Sequence, residues 1–165
     1  MDIQRIWRHF AMTQGMVSRA FPSSTLSVIE QAIKASETGH MGEVRFVVEG
    51  ALDTGPLLGG QSARERALEL FSKLRIWDTE HNSGVLIYLL LADRQVEIVA
   101  DRGIHAMAGT HAWATICGAM ESAFKKSKFE DGVVHGIQAV TRQLKDHFPE
   151  GVGNRNELPD KPLVL

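Results

Sequence analysis

Apolar positions recur along the chain with two spacings, and the order in which the spacings alternate outlines a fold. Ile3, Ile6, Trp7 and Phe10 share one side of a helix. Leu26, Ile29 and Ile33 repeat at helical spacing after a start signal at Pro22 to Ser24, and Gly39 stops them. Glu43 to Glu49 (EVRFVVE) carries the β-branched and aromatic content of a strand, with Gly50 at its end. A loop over 51–60 holds Asp53, Pro56 and the Gly59-Gly60 pair. Ser62 with Glu65 three residues later reads as a capping box, opening a helix whose apolar side is Ala67, Leu70, Phe71, Leu74 and Trp77.

The central element is Val85 to Leu91, an unbroken apolar run too short to cross a bilayer. Leaving one of its faces in water would expose three or four large side chains at about 1.5–3 kcal/mol each. That sum rivals the roughly 5–15 kcal/mol stability of a whole domain, so helices must cover both faces. Asp93 and Arg94 break the run, and Val96, Ile98 and Ala100 then alternate as the returning arm of an antiparallel hairpin. With the strand at 43–49 and its crossover helix, this makes a right-handed βαβ unit plus a hairpin. After a connection over 104–109, one helix from Thr110 buries Trp113, Ile116, Cys117, Met120 and Phe124, and another buries Val133, Ile137, Val140, Leu144 and Phe148 until Pro149 stops it. The pattern predicts an α/β fold, a three-layer α/β/α sandwich around a small mixed sheet. Residues 1–20 form a basic amphipathic segment, 21–149 the domain, and 150–165 an extended tail whose last residues dock on the surface.

Composition narrows the function classes. A chain of 165 residues supports one well-buried core, and a net charge of −2 removes the electrostatic reason to expect nucleic acid. Cys117 is the only cysteine, so there is no internal disulfide framework, and it reads as a small apolar helix residue. No apolar signal segment or membrane span occurs, and the expected location is the cytoplasm, peripheral to a membrane if the first segment docks there. Arg5, Arg8 and Arg19 give residues 1–20 positive charge beside their apolar side, which suits a membrane surface or a membrane protein as partner, or packing on the chain's own domain or onto a second subunit.

Topology places candidate chemistry at both ends of the sheet. Beyond the carboxyl ends of the parallel strands stand Glu49, Asp53, Asp93 and Arg94, where ligands of open α/β sheets tend to bind. The other end gathers Asp78, Glu80, His81 and Asn82 with Asp101 and Arg102. Carboxylates brought together repel unless a cation lies between them, and oxygen ligands favour Ca²⁺ or Mg²⁺. An arginine beside such a cation suits a phosphate. The same residues also make good turns, and His105 and His111 read as surface positions. Walker, zincin, nucleophile-elbow and dinucleotide signatures are missing.

The stretches Asn82-Ser83-Gly84-Val85-Leu86-Ile87, Ala92-Asp93-Arg94-Gln95-Val96-Glu97-Ile98 and Arg102-Gly103-Ile104 together resemble the pattern of the TPM domain. Ile76-Trp77, Phe129-Glu130-Asp131-Gly132 and Gly136-Ile137 extend the resemblance over about residues 24–148. It implies the same α/β/α sandwich, and for some members divalent-cation binding and phosphatase activity. The leading expectation for this chain is a carboxylate-lined cation site with weak phosphomonoester hydrolysis, taking Asp93 and Asp101 as first ligands and Arg94 or Arg102 as the groups that stabilise the transferring phosphoryl. The family often has two acids before the hairpin arginine; here Ala92 stands in place of the first. The competing expectation is a non-catalytic interaction module that docks through residues 1–20.

Overall fold

A computed structural model describes residues 2–151 and 155–165. The elements run α1 (Ile3–Ala11), α2 (Gln14–Ala20), α3 (Ser23–Ser36), β1 (Glu43–Glu49), α4 (Thr54–Leu58), α5 (Ala63–Lys73), β2 (Gly84–Leu90), β3 (Gln95–Ala100), α6 (Arg102–Lys125), α7 (Phe129–His147) and β4 (Leu163–Val164). The sheet order is β3-β2-β1-β4, with β2 parallel to β1 and antiparallel to β3. Every residue of β2 is buried, because strand pairing consumes its backbone on both sides and helices cover both faces.

Alternation along the strands sorts the core into two layers. Val44, Phe46 and Val48 of β1 and Val85, Ile87 and Leu89 of β2 pack with Ile29 and Ile33 of α3, Met120 and Phe124 of α6, and Ile137 and Val140 of α7. The opposite parity, Val47, Leu86, Tyr88 and Leu90, packs with Leu57 of α4 and Ala67 and Leu70 of α5. The three-layer α/β/α arrangement is the expected one. The capping box is present in full, Ser62 accepting from the Glu65 N–H and the Glu65 carboxylate accepting from the Ser62 N–H.

Five local expectations need correction. The segment 104–109 is helical, since α6 starts at Arg102 directly after β3 and merely breaks at Gly109, whose φ of 78° interrupts the ladder. The loop over 51–60 contains α4. Trp77 lies beyond α5 in a turn and is exposed, with the Arg75 guanidinium 6.0 Å from its ring centroid. The tail contributes β4, parallel to β1, in addition to docking: Leu165 N–H donates to Val48 O, and Gly50 N–H donates to Leu165 O. Finally, residues 1–20 are two helices, broken at Met12 and Thr13, and Val17 of the second enters the core.

Candidate functional site

The tip of the β2–β3 hairpin is where the chain concentrates unusual chemistry. Asp93 is held there by a tight turn in which Arg94, at φ 51°, donates its N–H to Leu91 O. Its carboxylate meets three side chains of α1. Arg5 Nε donates to Oδ2 at 2.8 Å and Arg8 Nη2 to Oδ1 at 3.2 Å. His9 Nε2 lies 3.2 Å from Oδ2, off the line of a hydrogen bond but with the ring edge turned to the carboxylate. Burial pushes the Asp93 carboxyl up, yet the Arg5 bond and the His9 imidazole outweigh it and hold the group below the usual carboxylate range.

His9 is the buried pivot of this contact, only 3% exposed. Its Nδ1 accepts the N–H of Leu52 at 3.0 Å, so the neutral ring carries its proton on Nε2, towards Asp93. Arg5 Nη2 also donates to Gln61 O at 2.8 Å. Thus α1 is clamped to the loop after β1 and to the hairpin by its polar side. The reverse side carries Ile3, Trp7 and Phe10, at i, i+4 and i+7, exposed by 67%, 70% and 60%. Only Ile6 packs on the core, against the α4–α5 layer. An isolated helix of this length would be marginal in water, which makes the Asp93 clamp its main hold.

The remaining residues of this end serve elsewhere. Both oxygens of Glu49 are taken by Arg66, Nε at 2.9 Å and Nη2 at 2.8 Å, and Oε2 also accepts the Tyr88 hydroxyl at 2.7 Å. Glu49 and Tyr88 are buried here under the half-buried Arg66 of α5, and burial beside Glu49 drives the Tyr88 hydroxyl well above its ordinary pKa. Asp53 is exposed at the start of α4, with no side-chain capping bond. Arg94 is exposed, and no hydrogen bond or ion pair engages its guanidinium among the described residues.

At the other end of the sheet, Asn82, Asp101 and Arg102 do come together, lining a cleft with Trp77 and Phe71. Asp101 caps α6, accepting the Arg102 N–H at 2.6 Å, and its Oδ2 is buried without a partner among the described residues. Asp78 pairs instead with Arg75 at 2.7 Å, and the exposed Glu80 donates its backbone N–H to the Glu157 carboxylate. Asp93 and Asp101 stand at opposite ends of β3, as do Arg94 and Arg102. Among the described residues no three His, Cys, Asp or Glu side chains converge to hold a metal ion. As arranged, the Asp93 end does not fit a divalent cation, because that carboxylate already faces two guanidinium groups and an imidazole.

Spacing could have revealed Arg5, Arg8 and His9, which stand at i, i+3 and i+4 on α1, opposite the apolar stripe. Their partner could not be read from spacing, because Asp93 is 88 residues from Arg5.

A helix-covered mixed sheet, with a hairpin tip clamped by an N-terminal helix, defines a three-layer α/β/α domain. The chain belongs to the TPM domain family, whose sequence profile matches residues 17–143. The BA42 protein of the psychrophilic bacterium Bizionia argentinensis has a similar solution structure: TM-score 0.76, 27% identity, covering 87% of this chain and 94% of that one. The N-terminal domain of a P. gingivalis protein shares the fold at TM-score 0.61 and 18% identity, over 78% of this chain and 80% of that one. No curated protein sequence matches the chain. The family match begins at residue 17, so α1 lies outside it.

Proposed function

We propose that this TPM domain is a docking module that settles on a membrane surface through α1. One observation carries the reading: α1 is fastened by Arg5 and His9 while Ile3, Trp7 and Phe10 are turned to solvent. A helix that used its apolar side to join its own domain would bury those three residues. Burying such side chains is worth about 1.5–3 kcal/mol each when complete, and a Trp beside arginines suits the boundary between headgroups and acyl chains. No helix among the described residues is long and apolar enough to cross a membrane, so the contact is one of lying on the surface. The cation-dependent phosphatase chemistry expected from the family resemblance has no converging donor set among the described residues to support it here.

Vesicle cosedimentation tests the reading. The intact chain is expected to pellet with phosphatidylcholine vesicles containing phosphatidylglycerol, with the Trp7 emission shifting to the blue. Trp7→Ser combined with Phe10→Ser should abolish pelleting while circular dichroism stays unchanged. Equal pelleting of both chains would refute it.

A further inference from the structure

Beside α1 lies a cleft of about 320 Å³ between α2, the hairpin and the α6–α7 turn, at the small end of the roughly 300–1,000 Å³ typical of ligand pockets. Met12, Met16, Leu91 and Phe129 supply its apolar wall, and Arg19 and Arg94 its charge. Neither guanidinium has a hydrogen-bond or ion-pair partner among the described residues. No carboxylate lines the cleft, whereas the adjoining one, which shares Arg19 and Phe129, contains Glu130 and Asp131. The acid next in sequence to Arg94 is Asp93, whose charge the α1 clamp already neutralises. The Arg94 cation is therefore left uncompensated beside an apolar wall.

Resting on the membrane reading above, we infer that this cleft holds the phosphate-bearing headgroup of an anionic lipid, with Arg19 and Arg94 as its ligands. The two arginines answer the phosphate as charge-assisted donors. The methionine side chains and Phe129 accept the glycerol and first acyl carbons, methionine being well suited to an adaptable apolar wall. The cleft and the α1 stripe are continuous through the chain: Met12 follows α1 directly, and the exposed Met16 lines the cleft. The stripe then supplies contact with any bilayer, and the cleft supplies preference for anionic headgroups.

The test compares vesicles of phosphatidylcholine alone with vesicles that also contain phosphatidylglycerol, using the intact chain, Arg19→Gln, Arg94→Gln and the double variant. Both arginines are exposed, and Gln at position 94 meets the same backbone, so the fold should persist. Each single substitution should weaken binding to the anionic vesicles about fivefold, and the pair more, with binding to phosphatidylcholine unchanged. Short-chain phosphatidylglycerol below its micelle concentration should shift the amide signals of Met12, Met16, Leu91 and Phe129, and inorganic phosphate should not. A double variant that keeps the anionic preference overturns the cleft assignment while leaving α1 docking intact, and equal shifts with inorganic phosphate overturn it as a lipid site. Failure of the intact chain to bind either vesicle overturns the membrane reading and the cleft with it.

Discussion

Asp93→Ala is the perturbation that most directly tests the α1 clamp. The Arg5 bond is charge-assisted and mostly out of water, with 19% and 7% of the two side chains exposed, and such bonds contribute about 1.5–3 kcal/mol. The half-exposed Arg8 pair adds at most about 1 kcal/mol, so docking of α1 should weaken by about 2–4 kcal/mol. Because α1 hangs on this contact rather than on the core, the loss should appear as local opening. Native-state hydrogen exchange would show the amides of 7–11 losing roughly 30- to 1,000-fold of their protection, while β2 amides keep theirs. Asp93→Asn, which keeps the shape and removes the charge, should fall between. A cation ligand would behave otherwise: its removal should leave α1 protection alone. Unchanged protection in 7–11, or a more tightly docked helix, would refute the clamp. Acid supplies a second arm. The folded pKa of Asp93 lies below its ordinary value of 3.8, so its contribution is present above that value and lost as pH falls through the folded one.

Other predictions concern groups away from the clamp. Burial, then the nearby Glu43, pushes the Glu37 carboxyl up to about 8 from an ordinary 4.5. Its contribution is therefore present below pH 4.5 and lost as pH rises through about 8. Glu37→Gln should leave urea stability unchanged at acid pH and raise it by about 2 kcal/mol above pH 8, after discounting for partial exposure; equal effects at both pH values would count against this. Burial, then Lys145, lowers the His40 imidazole to about 4, so its contribution is present above 6.5 and lost as pH falls toward 4; an NMR titration of His40 with a midpoint near 6.5 would disprove it. Gly84→Ala would set a methyl 2.0 Å from the backbone oxygen of Ile76 and should cost more than about 3 kcal/mol. Gly136→Ala meets the flexible Met120 thioether instead and should cost only about 1 kcal/mol, both being read from urea midpoints.

The elements themselves were legible because their signals are local. The run Val85 to Leu91 demanded cover on two faces, EVRFVVE ended at a glycine, and Ser62 with Glu65 announced α5; none of these depends on distant residues. The start of α6 is masked in the sequence because Gly103 and Gly109 look like loop residues, whereas the Asp101 cap and burial of Ile104 draw 102–108 into a helix. The strand β4 was illegible for another reason: two residues have no period, and only the open edge of β1 makes them a strand.

The candidate site divides in the same way. Sequence alone determined that Asp93 and Arg94 would form a hairpin tip beyond the parallel strands and that α1 would have an apolar and a basic side; of the group expected at the far end, Asn82, Asp101 and Arg102 meet, while Asp78 and Glu80 take other partners. Tertiary structure alone decided which side of α1 faces the domain. The periodic pattern gives both faces of a helix but not its partner, and the usual assumption turns the apolar one inward. Here a buried carboxylate needs positive charge and a buried N–H donor from Leu52 needs an acceptor more than the core needs Trp7 and Phe10, so Arg5 and His9 face in and the aromatic stripe faces out.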